Sequence, residues 1–201
     1  MDNVRLFFQF LQRFSSLRED EFDRTIKPFL QVRQFKKKDV VSTSAEVENF
    51  FNFIIKGLIR KYLKKGKEEI NIQIATEGQV IYSGESFYSR KPSEYIVEAI
   101  EPSAVISVEH QDMERIFSSS AKMERMGRLM VSFEMILKDR WQMNMIRLNP
   151  RERFLNFVEK NPDLLRRVPQ KFLASFLNIQ PETFSRFKHM LKEKSSLVLP
   201  H

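Results

Sequence analysis

The sequence predicts an α+β protein in three parts: a small, mostly antiparallel β domain preceded by helix, a long central helix, and a C-terminal helix-turn-helix. Three observations carry this. Short apolar runs and four of the five glycines fall between Phe35 and Val108. Residues 112–148 contain no proline and a single glycine. Residues 168–187 read as two short helices joined by a tight turn. The boundaries that follow are 1–111, 112–148 and 149–201.

Residues 1 to about 33 read as helical. Met1 to Phe14 carries an apolar stripe interrupted by Asp2, Arg5, Gln9, Gln12 and Arg13, too polar for a signal peptide or a membrane span. Phe7, Phe8, Phe10, Leu11 and Phe14 suit a helix docked on the rest of the chain, with attachment to a membrane surface as the rival use. From Phe35 to Val108 the period shortens. Ile70, Ile72 and Ile74 alternate with polar residues, and Ile96-Val97 and Ala104 to Val108 are further strand-like runs. Gly57, Gly66, Gly78 and Gly84 mark turns and corners in this stretch. Lys64-Lys65-Gly66-Lys67 reads as a solvated hairpin turn and Lys36-Lys37-Lys38 as another exposed basic turn.

The 112–148 helix is expected to break once near Ser118 to Ser120. Met123, Met126, Met130, Phe133 and Leu137 alternate at spacings of three and four, the a and d positions of a coiled coil. A symmetric dimer seam is the expectation; the rival is a stripe packed on the chain's own β domain, with Leu129, Ile136 and Trp141 lying off that line. Asn149-Pro150-Arg151-Glu152 then starts a fresh helix with a cap, a first-position proline and a third-position acid. Asn161-Pro162-Asp163 starts another, and Val168-Pro169 leads into the last pair.

In that pair, small Ala174 suits a close helix crossing, and Asn178 suits the left-handed backbone of a short turn. Leu173, Leu177, Ile179, Phe184 and Phe187 form the expected buried seam. Pro181 fits the first turn of the second helix, which then offers Glu182, Thr183, Ser185 and Arg186. Arg can pair with both acceptors of a guanine edge and Glu can accept from a cytosine amino group, so Glu182 and Arg186 are candidate base readers. They also fit an ordinary exposed i,i+4 ion pair.

Net charge is +8. Residues 150–201 hold ten Lys or Arg against five acids, net +5, which leaves +3 for the first 149. A basic C-terminal part suits a polyanion such as double-stranded DNA. The absence of cysteine excludes disulfides and thiolate chemistry, and a reducing cytoplasm is the simplest setting. His110, His189 and His201 are scattered, and no phosphate-cradling glycine loop or metal-ligand spacing occurs. Glu68-Glu69 and Glu46/Glu48 are adjacent acids of the kind that usually face solvent. No enzyme activity, metal or cofactor is expected.

The order β domain, long helix, helix-turn-helix resembles the CRP-FNR family of bacterial transcription regulators over nearly the whole chain. The stretch Arg167-Val168-Pro169-Gln170-Lys171 through Pro181-Glu182-Thr183-Phe184-Ser185-Arg186 is similar to that family's DNA-reading segment. The resemblance implies base contacts from Glu182 and Arg186 and phosphate contacts from Thr183, Gln170 and Lys171, with Ser185 and Lys188 completing the DNA-facing set. Where many members have a further base-reading Arg, this chain has Pro181. After Leu191 only Lys192 to His201 remain, so the family's two-stranded wing is expected to be reduced or absent.

Phe53 to Arg60 resembles the turn of the family's cyclic-nucleotide-binding-like β-roll, a double-stranded jelly roll, and Gly84-Glu85 the start of its phosphate-binding cassette. Where cyclic-nucleotide-binding members place Arg-Ser or Arg-Thr, this chain has Ser93-Glu94, in a cassette about two residues shorter. A Glu beside a phosphate is repulsive, so cyclic AMP is not expected to bind in the usual manner. Arg90 and Lys91 are substitute phosphate partners, and Tyr82, Phe87, Tyr88 and Tyr95, with Gly84, Glu85 and Ser93, outline an effector pocket for another small molecule or a degenerate pocket without one. His110 is the one candidate haem ligand and is expected to be exposed.

The resemblance thus implies a cytoplasmic homodimer that binds a palindromic operator, with RNA polymerase and an unidentified small-molecule effector as further partners and no membrane. Its β domain would bias the DNA-binding heads about the Asn149-Pro150 hinge. The alternative is a ligand-sensing or protein-interaction module whose basic C-terminal domain binds a protein.

Overall fold

The structure, a computed structural model, describes the backbone of residues 3–197 and the side chains of 4–191. Two antiparallel sheets face each other. One has the order β1(Gln31–Phe35), β7(Ser103–Glu109), β3(Phe50–Lys56). The other has the order β2(Val40–Ser42), β6(Ile96–Ala99), β4(Ile59–Lys65), β5(Glu68–Ala75). Val41, Ile54, Ile59, Ala75, Ile81, Val97 and Val105 form one buried cluster of this jelly roll. The β3–β4 corner requires glycine: Gly57 sits at φ +95°, and a Cβ there would lie 2.3 Å from Ser103 Oγ.

The N-terminal helical stretch ends sooner than its composition suggests. Helices α1(Asn3–Gln12) and α2(Glu19–Thr25) and a 3-10 turn at Lys27–Phe29 give way to β1, where Gln31, Val32 and Arg33 pair with Ser107, Ile106 and Val105. This edge strand is largely exposed, so its residues show no clear two-residue apolar period, and pairing to β7 decides its conformation. Helix α1 is a docking helix. Phe7, Phe10 and Leu11 are buried, with the Phe7 and Phe10 rings 5.2 and 5.0 Å from that of Phe53.

After β5 come the short helix α3(Gly84–Ser89), β6 and β7, then α4(His110–Ser118) and α5(Ala121–Arg147). The expected break falls at Ser119 and Ser120, where the Ser120 hydroxyl accepts from the Met123 amide. Gly127 permits the two helices to close on each other, since a Cβ there would lie 2.8 Å from the Phe117 ring.

The expected dimer seam is corrected here. Met123, Met126 and Met130 are at most 2% exposed, packed in one core with Phe7, Phe10, Phe22 and Phe53. Phe133 meets the Phe14 ring at 5.5 Å beneath the Arg13 guanidinium, and only Leu137 faces solvent. The docked N-terminal helices use the methionine stripe that spacing alone assigned to a second chain.

The C-terminal helices are α6(Pro150–Lys160), α7(Leu164–Arg167), α8(Gln170–Phe176) and α9(Pro181–Leu197). Asn149 and Glu152 form a reciprocal capping box at the start of α6. Helix α9 continues to Leu197, so no wing strand follows α9 among the described residues. This domain shares its core with the jelly roll: Leu58, Ile74 and Ile100 pack with Phe154, Phe157, Leu173 and Phe184. Among the described residues no helix is long and apolar enough to cross a membrane, and no group of acidic, His or Cys side chains could hold a metal.

Candidate functional site

The helix-turn-helix is built as its residues require. Leu173, Ala174, Leu177, Ile179, Phe184 and Phe187 are all buried, and Asn178 adopts the left-handed conformation at φ +50°. The turn is also tied from outside. The Arg153 guanidinium of α6 donates to the carbonyls of Leu148, Leu177 and Asn178, each at 2.9 Å. Sequence reasoning passed over Arg153, because an arginine beside a helix start reads as a surface charge.

On α9, Glu182, Ser185 and Arg186 are exposed, while Thr183 and Lys188 are half-buried. No ion pair joins Glu182 to Arg186 among the described residues, so both heads are available to a partner. At the start of α8, Lys171 is exposed and Gln170 half-buried.

Helix α8 sits directly on β5. The Asn71 amide donates to Ser175 Oγ at 3.0 Å, and that hydroxyl donates to the Glu69 carbonyl at 3.1 Å. Arg60 lies between the Tyr62 and Phe172 rings, 3.9 Å from each, and pairs with Glu69 at 2.8 Å and Glu98 at 2.9 Å. Arg167 bridges Glu77 at 2.8 Å and Glu101 at 2.5 Å.

A cavity of about 640 Å³ opens between the β4–β5 sheet, α1, α5 and α8. Of the expected effector residues, Gly84, Glu85 and Tyr95 line it, and Tyr82 reaches a small annex. The others are placed elsewhere. Phe87 is wholly buried, and Tyr88 and Lys91 face solvent. Arg90 donates to the carbonyls of Glu48 and Phe87 and to Asn49, which holds the α3 end in place. Ser93 is buried, its hydroxyl engaged with the backbone of Tyr95, and Glu94 is exposed.

Two further expectations are corrected. Glu48 does not face solvent: it is 3% exposed and accepts from Ser42 Oγ and the amides of Phe50 and Ser83. His110 is half-buried, with its ring 4.9 Å from Phe87.

Besides the expected Glu85, four charged groups that were not foreseen line the cavity: Arg13, Lys61, Glu134 and Lys138. Lys61 lies two residues along β4 from buried Ile59, on the same face of the strand, and is itself buried with its ammonium donating to the Tyr82 carbonyl at 3.0 Å. Burial lowers the Lys61 ammonium to about 8, and burial raises the Glu134 carboxyl. The signal was present only as a lysine in an otherwise strand-like run, which usually marks an outward position.

Comparison with known proteins agrees with this architecture. Residues 32–120 match the cyclic nucleotide-binding domain. No protein of curated function matches the sequence. Among solved structures, FixK2 from Bradyrhizobium japonicum is similar at 17% identity and a TM-score of 0.70, covering 83% of this chain and 86% of that one. The c-di-GMP responsive global regulator CLP of Xanthomonas campestris has 12% identity and a TM-score of 0.66, with 88% and 93% covered. The catabolite activator protein of Thermus thermophilus has 16% identity and a TM-score of 0.55, with 92% and 88% covered. The chain is thus similar to the cyclic nucleotide-binding domain over residues 32–120, and it carries the fold of the CRP-FNR regulators.

Proposed function

We propose that the chain is a sequence-selective DNA-binding regulator that works as a homodimer, with α9 entering the major groove. The observation that carries this reading is the helix-turn-helix, whose apolar seam is buried while Glu182, Ser185 and Arg186 stand exposed on α9. Arg186 and Glu182 read base edges; Thr183, Ser185, Lys188, Gln170 and Lys171 contact the backbone. No enzymatic step is part of this reading.

The dimer seam lies on the other face of α5 from the buried methionines. Ile136, Met143 and Ile146 are 44%, 49% and 72% exposed, and with half-buried Leu129 they follow a heptad-like spacing. Two such helices side by side would set two α9 helices on successive major grooves, roughly 34 Å apart. Cyclic AMP is not the effector in the family's usual manner, because the Ser93 hydroxyl is turned into its own loop and Arg90 is engaged by Glu48.

The test is selection of bound duplexes from a random library with purified protein. Enrichment of a palindrome is the expected result. Binding without sequence preference, or none across ligand conditions, would overturn the reading in favour of a protein-binding C-terminal domain.

A further inference from the structure

The strongest unexplained feature of the cavity is Lys61. Its side chain is 6% exposed at the residue level, its ammonium meets one backbone carbonyl, and no carboxylate lies within ion-pair distance among the described residues. An ammonium taken out of water without an anion is costly, and a bound anion would relieve that cost. Burial and the neighbouring Lys138 ammonium depress its proton affinity, against the opposing pull of the Glu134 and Glu48 carboxylates.

A second ammonium stands nearby. Lys138 Nζ lies 3.6 Å from where a Gly84 Cβ would be, on the wall that also holds Lys61. Around the cavity Arg13, Lys61 and Lys138 face Glu85 and Glu134, a surplus of one positive charge. Apart from Gln73 and Gln79, the remaining wall is largely apolar and aromatic, with Phe10, Ile72, Phe133, Leu137, Trp141 and Phe176. Its volume falls within the range of small-molecule sites, about 300–1,000 Å³.

We infer that this cavity binds an amphipathic monoanion, a carboxylate on a hydrocarbon or aromatic body, with the carboxylate between Lys61 and Lys138 and the body against Trp141 and Phe176. The anion anchor therefore comes from β4 and α5, and not from the loop that follows α3. The inference deepens the regulator reading by naming an effector class. Because Phe176 belongs to α8, an occupant touches the DNA-binding domain directly.

Trp141 is the chain's only tryptophan and lines the cavity, so its emission reports binding without DNA. Failure of this test is thereby separate from failure of DNA binding. The probes are decanoate and decanol, which share a tail and differ in charge. Decanoate should change Trp141 emission saturably, with decanol about tenfold weaker or worse. Lys61→Met should weaken decanoate about tenfold and leave decanol unchanged. Lys138→Met, at an exposed position, should weaken decanoate in the same direction and serves as the comparison if Lys61→Met fails to fold.

No saturable response, equal binding of decanoate and decanol, or unchanged decanoate affinity in both variants would overturn the inference. So would cyclic AMP displacing decanoate at lower concentration than decanoate itself requires.

Discussion

The Trp141 indole lies parallel to the Phe176 ring, centroids 4.2 Å apart and planes 13° from parallel, and there the long helix meets the helix-turn-helix. Phe176 also meets Phe157 at 6.0 Å, so one ring links α5, α6 and α8. Aromatic pairs of this kind contribute about 0.5–1.5 kcal/mol beyond the area they bury. Phe176→Ala should therefore cost about 1–2 kcal/mol in denaturant unfolding and shift Trp141 emission to the red. Unchanged emission and stability would show that the two helices do not meet this way in solution.

The two faces of α5 should respond differently to substitution. Met126 is 1% exposed inside the protomer, so Met126→Ala should cost about 2–5 kcal/mol at any protein concentration. Ile136 is 44% exposed, so Ile136→Glu should leave the protomer's own stability within about 0.5 kcal/mol. It should instead move the sedimentation profile from dimer towards monomer. A dimer that survives Ile136→Glu but dissociates with Met126→Ala would place the seam back on the methionine stripe.

Substitutions at Arg186 and Lys171 test the proposed division between reading a base and holding the backbone. Arg186→Ala should cost about 1–3 kcal/mol on the selected operator and relax base preference at one position. Lys171→Ala should weaken binding similarly on all sequences and reduce the salt slope by about one. Uniform weakening by Arg186→Ala on every duplex would remove it from the base-reading role.

How much of this was legible depended on whether local chemistry or distant packing decided the outcome. The capping box at Asn149 and Glu152, the left-handed Asn178 and the break at Ser119 and Ser120 are local, and the residues announced them. The partner of an apolar stripe is not local. Met123, Met126 and Met130 have the spacing of a seam, but their cover is α1, more than a hundred residues earlier. Lys61 was missed for a related reason: strand alternation sets it on the same inward face of β4 as Ile59, a burial that its residue type argues against. Arg90, which reads as a phosphate partner, is held by the Glu48 carbonyl, a contact that depends on the whole roll being closed.

The seat of the helix-turn-helix on the roll should depend on acid through Glu77. Burial acts to raise its carboxyl, but hydrogen bonds from Arg167, Thr76 and the Gly57 amide outweigh that and hold it down at about 2, from an ordinary 4.5. A carboxyl depressed in the folded state stabilises it above the unfolded value and loses that contribution as pH falls from 4.5 towards about 2. Glu77 is 36% exposed and Arg167 32%, so solvent screening keeps the effect to roughly 1 kcal/mol or less. Glu77→Gln should lower stability modestly at neutral pH and flatten the acid limb between 4.5 and 2, followed by denaturant unfolding at each pH. The salt dependence should shrink in parallel, because of its two ion-pair partners Arg167 would keep Glu101 alone. Wild type and Glu77→Gln tracing the same acid limb would mean that the interdomain seat rests on Arg60, Ser175 and the aromatic contacts, with the Arg167 bridge contributing nothing measurable.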